Sequence, residues 1–124
     1  MKPTVLVVDD EWAVTKLLRH TFSLAGFEVL TAANEQEFWE RAQAKRPDAI
    51  ILDIMLGNKY GTQIYQNFLE RGLDRNIPVV FISALAKDRP PAHPRPGRTY
   101  ALIGKPFDPD ELVKQIQELL THQV

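Results

Sequence analysis

The chain has 124 residues, 44% of them hydrophobic and 25% charged, with a formal net charge of -1 and no cysteine. That suits one domain over residues 1–124, able to bury roughly two-thirds of its unfolded surface, and excludes disulfides, thiolate catalysis and Cys-based zinc sites. No basic field recommends DNA, RNA or an anionic membrane as a direct partner. The apolar run Val5 to Val8 is too short for a signal peptide or a membrane span, so a soluble cytoplasmic protein is expected.

Val5 to Val8 reads as a buried strand that ends at Asp9-Asp10-Glu11. Val14, Leu17, Leu18, Thr21 and Ala25 then recur at helical spacing, with Gly26 as the stop. Glu28 to Ala32 is a second, more exposed strand. Asn34 and Glu37 form a capping box for a helix running to about Lys45, with Phe38, Trp39 and Ala42 facing inward. Pro47 closes that helix. Ala49-Ile50-Ile51-Leu52 is a continuous apolar run, as expected of a strand buried on both faces, and it ends in Asp53.

The stretch Ile54 to Gly61 reads as a loop. Ile64, Tyr65, Phe68 and Leu69 mark a third helix that stops at Gly72. Pro78 to Ile82 is a fourth buried strand ending at Ser83, and Tyr100 to Ile103 a fifth ending at Gly104-Lys105-Pro106. Asp108-Pro109-Asp110-Glu111 starts a last helix with a cap, a proline at the first helical position and acids in the first turn. Leu112, Val113, Ile116, Leu119 and Leu120 supply its buried stripe. Between the fourth and fifth strands, Pro90, Pro91, Pro94 and Pro96 stand where alternation calls for a helix. Each interior proline costs a helix roughly 3 kcal/mol, so the fourth helix is expected to be lost or irregular. Strict alternation of strand and helix predicts an α/β fold: a flavodoxin-like five-stranded parallel sheet in the order 2-1-3-4-5, with helices on both faces.

Ligands bind beyond the carboxyl ends of the strands in such a sheet. Asp9, Asp10, Asp53, Ser83 and Lys105 all fall there. Each has an ordinary reading: Asp10 as a helix cap, Asp53 or Ser83 as a turn former, Lys105 as a snorkelling edge residue. Together they describe something else. Carboxylates about 4 Å apart repel by roughly 4 kcal/mol at an effective dielectric near 20, so three of them demand a cation or a raised pKa. Oxygen ligands with room for water suit Mg2+. An ammonium and a hydroxyl beside one carboxylate are what a phosphoryl group on that carboxylate requires.

In these motifs the chain resembles a response-regulator receiver domain, the chemotaxis-regulator-like family of two-component signalling. The resemblance rests on Val7-Val8-Asp9-Asp10-Glu11, Ile51-Leu52-Asp53 with Gly61 in the following loop, Pro78 through Ser83-Ala84, and Lys105-Pro106-Phe107. It implies that Asp53 is the phosphoacceptor, served by a histidine kinase or a histidine phosphotransfer protein. Asp9 and Asp10 would hold Mg2+, with Asp53 and the main-chain carbonyl of Met55 as further ligands. Ser83 would contact the phosphoryl group, Ala84 would offer it a backbone amide, and Lys105 would pair with a phosphate oxygen. A phosphorylated receiver then switches conformation to control an output domain or a downstream protein, and catalyses only its own phosphotransfer and dephosphorylation. No output domain follows the last helix, which leaves a stand-alone regulator or a receiver from a longer protein.

Three departures from the family pattern stand out. Gly57 occupies a position usually held by proline, Leu102 replaces the usual switch aromatic with Tyr100 further from the site, and the proline cluster falls on the helix normally used for output. Two alternatives follow. A phosphatase of the haloacid-dehalogenase type would share the nucleophile and metal but needs a second Asp two residues on, where this chain has Met55. A phosphorylation-independent pseudo-receiver would keep the fold alone. His20, His93 and His122 have no metal-ligand spacing, and Trp12 and Trp39 read as packing or partner-contact residues.

Overall fold

The computed structural model describes residues 2–83, 100–104 and 106–121, the side chains of 100–102 excepted. In chain order the elements are β1 (Thr4–Val8), α1 (Trp12–Leu24), β2 (Glu28–Ala32), α2 (Glu35–Ala44), β3 (Ala49–Asp53), β4 (Met55–Leu56), β5 (Lys59–Tyr60), α3 (Gly61–Glu70), β6 (Val79–Ser83), β7 (Tyr100–Gly104) and α4 (Pro109–Thr121). Five strands form a parallel sheet in the order β2-β1-β3-β6-β7, which is the expected 2-1-3-4-5 when only long strands are counted. The segment carrying the four prolines lies outside the described residues.

Side chains alternate across each strand, so the sheet divides the apolar residues into two layers. Leu6, Val8, Ile50, Leu52, Val79 and Phe81 face α2 and α3, where Phe38 and Phe68 meet edge to face at 4.9 Å. Val5, Val7, Ile51, Val80 and Ile82 face α1 and α4, against Leu18, Phe22, Leu112 and Ile116. β1, β3 and β6 are buried on both faces, which accounts for their unbroken apolar runs. β2 lies at the edge, and its exposed start and half-buried middle match the weaker pattern read from its sequence.

The buried stripe of α1 differs from the expected one. Leu18 and Phe22, four residues apart, are fully buried, whereas Leu17 is 45% exposed. Phe22 is held by the end of its own helix. Gly26 at φ 93 lets its N–H reach Ser23 O at 3.1 Å and the N–H of Phe27 reach Phe22 O at 3.0 Å, a Schellman closure. The Phe22 and Phe27 rings then pack edge to face at 5.0 Å. α3 ends the same way around Gly72.

The predicted caps are present. Asn34 Oδ1 accepts the Glu37 N–H at 2.8 Å, while Glu37 Oε1 accepts the N–H of Ala33, one residue earlier than a standard capping box. Asp108 Oδ1 accepts the Asp110 N–H at 2.9 Å in front of α4. Trp39 is partly buried against Phe68, with the Arg71 guanidinium stacked 4.0 Å from its ring centre. Trp12 is not a packing residue: it is exposed, with the Lys16 ammonium over its ring.

Candidate functional site

β1 and β3 are parallel neighbours with Val8 opposite Leu52, so the residues that follow, Asp9 and Asp53, emerge side by side. Both carboxylates turn back on their own chain in the same way. Asp9 Oδ1 accepts the Glu11 N–H at 2.9 Å, and Asp53 Oδ1 accepts the Met55 N–H at 3.1 Å. Such Asx-type turns fix a carboxylate while the chain reverses. Both residues are buried, 1% and 5% exposed.

Asp10 is placed differently. It is exposed and plays no part in capping, since the N-cap of α1 is Glu11, which makes no side-chain capping bond. Its Oδ2 accepts instead the Gly57 N–H at 3.0 Å, from 47 residues further along the chain. The simple cap reading of Asp10 is therefore replaced by a long-range tie.

One oxygen from each of Asp9, Asp10 and Asp53 lies within 4.8 Å of the other two. At that separation each charge pair repels by at least about 3 kcal/mol at an effective dielectric near 20. Two buried carboxylates and one exposed one form an all-oxygen donor set with an open side for water. A hard divalent ion such as Mg2+ fits that set, whereas a soft metal does not.

β6 completes the edge. Asp53 pairs with Ile82, and the Ile54 N–H continues the ladder to Ile82 O at 2.9 Å. Ser83, 3% exposed, is the next residue of β6 and stands opposite Gly104 of β7. Ala84 and Lys105 lie outside the described residues, as do His93 and His122. His20 lies on the exposed side of α1.

Two features were missing from the sequence reading. The stretch Ile54 to Gly61 is not a plain loop: Met55 pairs with Tyr60 and Leu56 with Lys59 in a small antiparallel hairpin, β4–β5. Gly57-Asn58 at its tip was the signal, because Gly followed by Asn suits a two-residue hairpin turn. The second is the role of Gly61. A Cβ there would sit 2.1 Å from the main-chain oxygen of Asp53, so α3 starts against the acid-bearing strand only because this residue has no side chain. No signal in a single sequence reveals such a contact.

A model of the response regulator receiver domain family matches residues 5–117. The chain is 34% identical over 121 residues to the response regulator Rre1 of Synechocystis sp., covering 97% of this chain and 52% of that protein. It is 38% identical over 119 residues to the transcriptional regulatory protein PrrA of Mycobacterium tuberculosis, covering 95% and 50%. Among solved structures, the chemotaxis response regulator CheY4 of Vibrio cholerae superposes with a TM-score of 0.81 at 29% identity, covering 96% of this chain and 99% of that one. The chain spans about half the length of the curated relatives it matches. Several of those relatives are named as transcriptional regulators, so the expectation of no nucleic-acid partner, drawn from net charge, finds no support in them.

Proposed function

The chain belongs to the response regulator receiver domain family, and on that premise we propose that Asp53 is the carboxylate that accepts the phosphoryl group. The single observation that carries this reading is the convergence of Asp9, Asp10 and Asp53 within 4.8 Å at one end of the sheet. The donor is a phosphohistidine of a histidine kinase or of a phosphotransfer protein. In the transfer, the P–N bond breaks as a P–O bond forms to an Asp53 oxygen, and the electron pair returns to the imidazole. On this reading residues 1–124 act as one receiver unit in the cytoplasm, and the phosphorylated form controls an output domain or a downstream protein.

Each residue of the site has a part. Asp9, Asp10, Asp53 and the Met55 carbonyl are proposed to hold Mg2+, which when bound supplies positive charge to the phosphoryl oxygens and relieves the repulsion among the acids. The Met55 amide, 3.1 Å from Asp53 Oδ1, orients the acceptor. Burial of Asp53 keeps competing water away from the acyl phosphate, and Ser83, buried at the end of the adjacent strand, offers a hydroxyl to a phosphoryl oxygen. Ala84 contributes a backbone amide and Lys105 an ammonium. The domain signals rather than turning over a substrate. A haloacid-dehalogenase mechanism needs a carboxylic acid at position 55, and methionine has no proton to give.

The test is labelling with acetyl phosphate and Mg2+, read by intact-mass spectrometry. Wild type is expected to gain one phosphoryl group and Asp53→Asn none, with the circular-dichroism spectrum unchanged. Labelling of Asp53→Asn at the wild-type level moves the acceptor elsewhere.

A further inference from the structure

The β4–β5 hairpin has a two-residue tip, Gly57-Asn58, between the paired residues Leu56 and Lys59. Gly57 has φ 65, and no non-glycine described residue has a positive φ, so the first tip residue alone carries one. That pattern marks a type II′ turn, whose first central position belongs to glycine. In such a turn the hydrogen bond that closes the hairpin joins the two flanking residues. The N–H of the first central residue is left pointing outward.

Here that amide reaches Asp10 Oδ2 at 3.0 Å. Two residues earlier, the amide of Met55, at the base of the same hairpin, reaches Asp53 Oδ1 at 3.1 Å. One six-residue element thus holds two of the three clustered carboxylates through main-chain donors. Its second strand is tied down separately, by the Lys59 ammonium 2.6 Å from Glu35 at the start of α2. Asp10 needs such a hold more than its neighbours do. Asp9 and Asp53 are buried, whereas Asp10 is exposed, and among the described residues its hydrogen-bond partner is Gly57.

We propose that Gly57 is a positioning residue for the metal site: its outward amide, presented at the tip of a hairpin whose turn needs a positive φ there, holds Asp10 in the orientation that receives the cation. The inference rests on the metal-site reading given under Proposed function and deepens it. The amide takes one lone pair of Asp10 Oδ2, and the carboxylate's remaining lone pairs are free to receive the ion. Hydrogen-bonding partners behind a metal ligand typically account for 10- to 100-fold in metal affinity. The backbone conformation matters more than the space. A Cβ at position 57 meets nothing within 4 Å, so any effect of alanine there comes from φ and not from a clash.

The experiment is a Mg2+ titration of the full chain by calorimetry, with no phosphodonor present. Gly57→Pro removes the N–H and fixes φ near -65°, and is expected to weaken Mg2+ binding about tenfold. Gly57→Ala keeps the N–H but disfavours the turn, and is expected to fall between. D-alanine placed at position 57 by peptide ligation keeps both the N–H and the positive φ, and should bind Mg2+ as wild type does. A metal-free measurement runs beside these: the Gly57 amide proton should exchange with solvent faster in Asp10→Ala than in wild type. Wild-type affinity in a folded Gly57→Pro, equal losses with L- and D-alanine, or unchanged exchange in Asp10→Ala each overturn the role given to Gly57 and leave the metal site standing. Failure of the wild-type chain itself to bind Mg2+ overturns the metal-site reading, and this inference with it.

Discussion

The two edges of the parallel sheet treat their acidic residues in opposite ways. Where the strands begin, each carboxylate has its own partner. Glu28 pairs with Lys45, Asp74 with Arg46 at 2.9 Å, and Asp48 Oδ2 accepts the Thr4 N–H at 2.7 Å. The Lys45 ammonium holds the Glu28 carboxyl below its ordinary pKa. The Asn76 amide first, and then Arg46, does the same for Asp74. Where the strands end, three carboxylates are brought within 4.8 Å of one another. One edge spreads its charge and the other concentrates it. Concentrating like charge costs stability until something positive arrives, so the second edge is built for binding rather than for holding the fold together.

Three experiments separate the edges. The largest effect belongs to Gly61→Ala at the binding edge. Its Cβ would sit 2.1 Å from the Asp53 main-chain oxygen, so β3 or α3 must move. A loss of about 3 kcal/mol in urea unfolding is expected, with slower phosphoryl labelling beside it. Unchanged stability would mean that the edge is slack and that the acids are not held by the backbone.

Next is the response to Mg2+. An ion that binds the folded chain alone, at a hundred times its Kd, raises stability by about 2.7 kcal/mol. A thermal melt with and without Mg2+ reads this directly, and the rise should vanish in Asp53→Asn combined with Asp9→Asn. A melting temperature indifferent to Mg2+ in the native chain would break the contrast.

The smallest effect belongs to the other edge. Arg46→Ala removes an exposed pair and should cost less than about 0.5 kcal/mol, with Mg2+ affinity and labelling untouched. Acid sharpens the point. Glu28 and Asp74 are held below their ordinary pKa values in the folded chain, so their contribution is complete above about pH 4.5 and fades as pH falls through the lowered values. The gap in melting temperature between wild type and Glu28→Gln combined with Asp74→Asn should narrow as pH falls through that window, and a gap that widened would reverse the sign of this edge's role.

Most of this was legible in the residues, for identifiable reasons. A strand buried on both faces needs an unbroken apolar run, and Ala49 to Leu52 supplies one whose end falls at Asp53. Asn34 and Asp108 mark helix starts because their side chains replace backbone acceptors. The errors came where two residues satisfied the same rule. Leu17 and Leu18 both suit an apolar stripe, and Phe22 decides between them only through its contact with Phe27 beyond the helix end. The β4–β5 hairpin was missed because two-residue strands carry no periodicity. The approach of Gly61 to Asp53 is a distance between elements, which no local pattern encodes.

The position of β1 has a consequence for how the protein is made. It is the first strand to be synthesised, yet it lies inside the sheet between β2 and β3, and β3 in turn waits for β6. A nascent chain whose residues up to 53 have left the ribosome while β6 is still inside it presents Ala49 to Leu52 as an open, apolar edge with no neighbour on one side, a template for aggregation. Emergence of β6 from the ribosome closes that edge, so a stall between these two points leaves the chain at its most vulnerable.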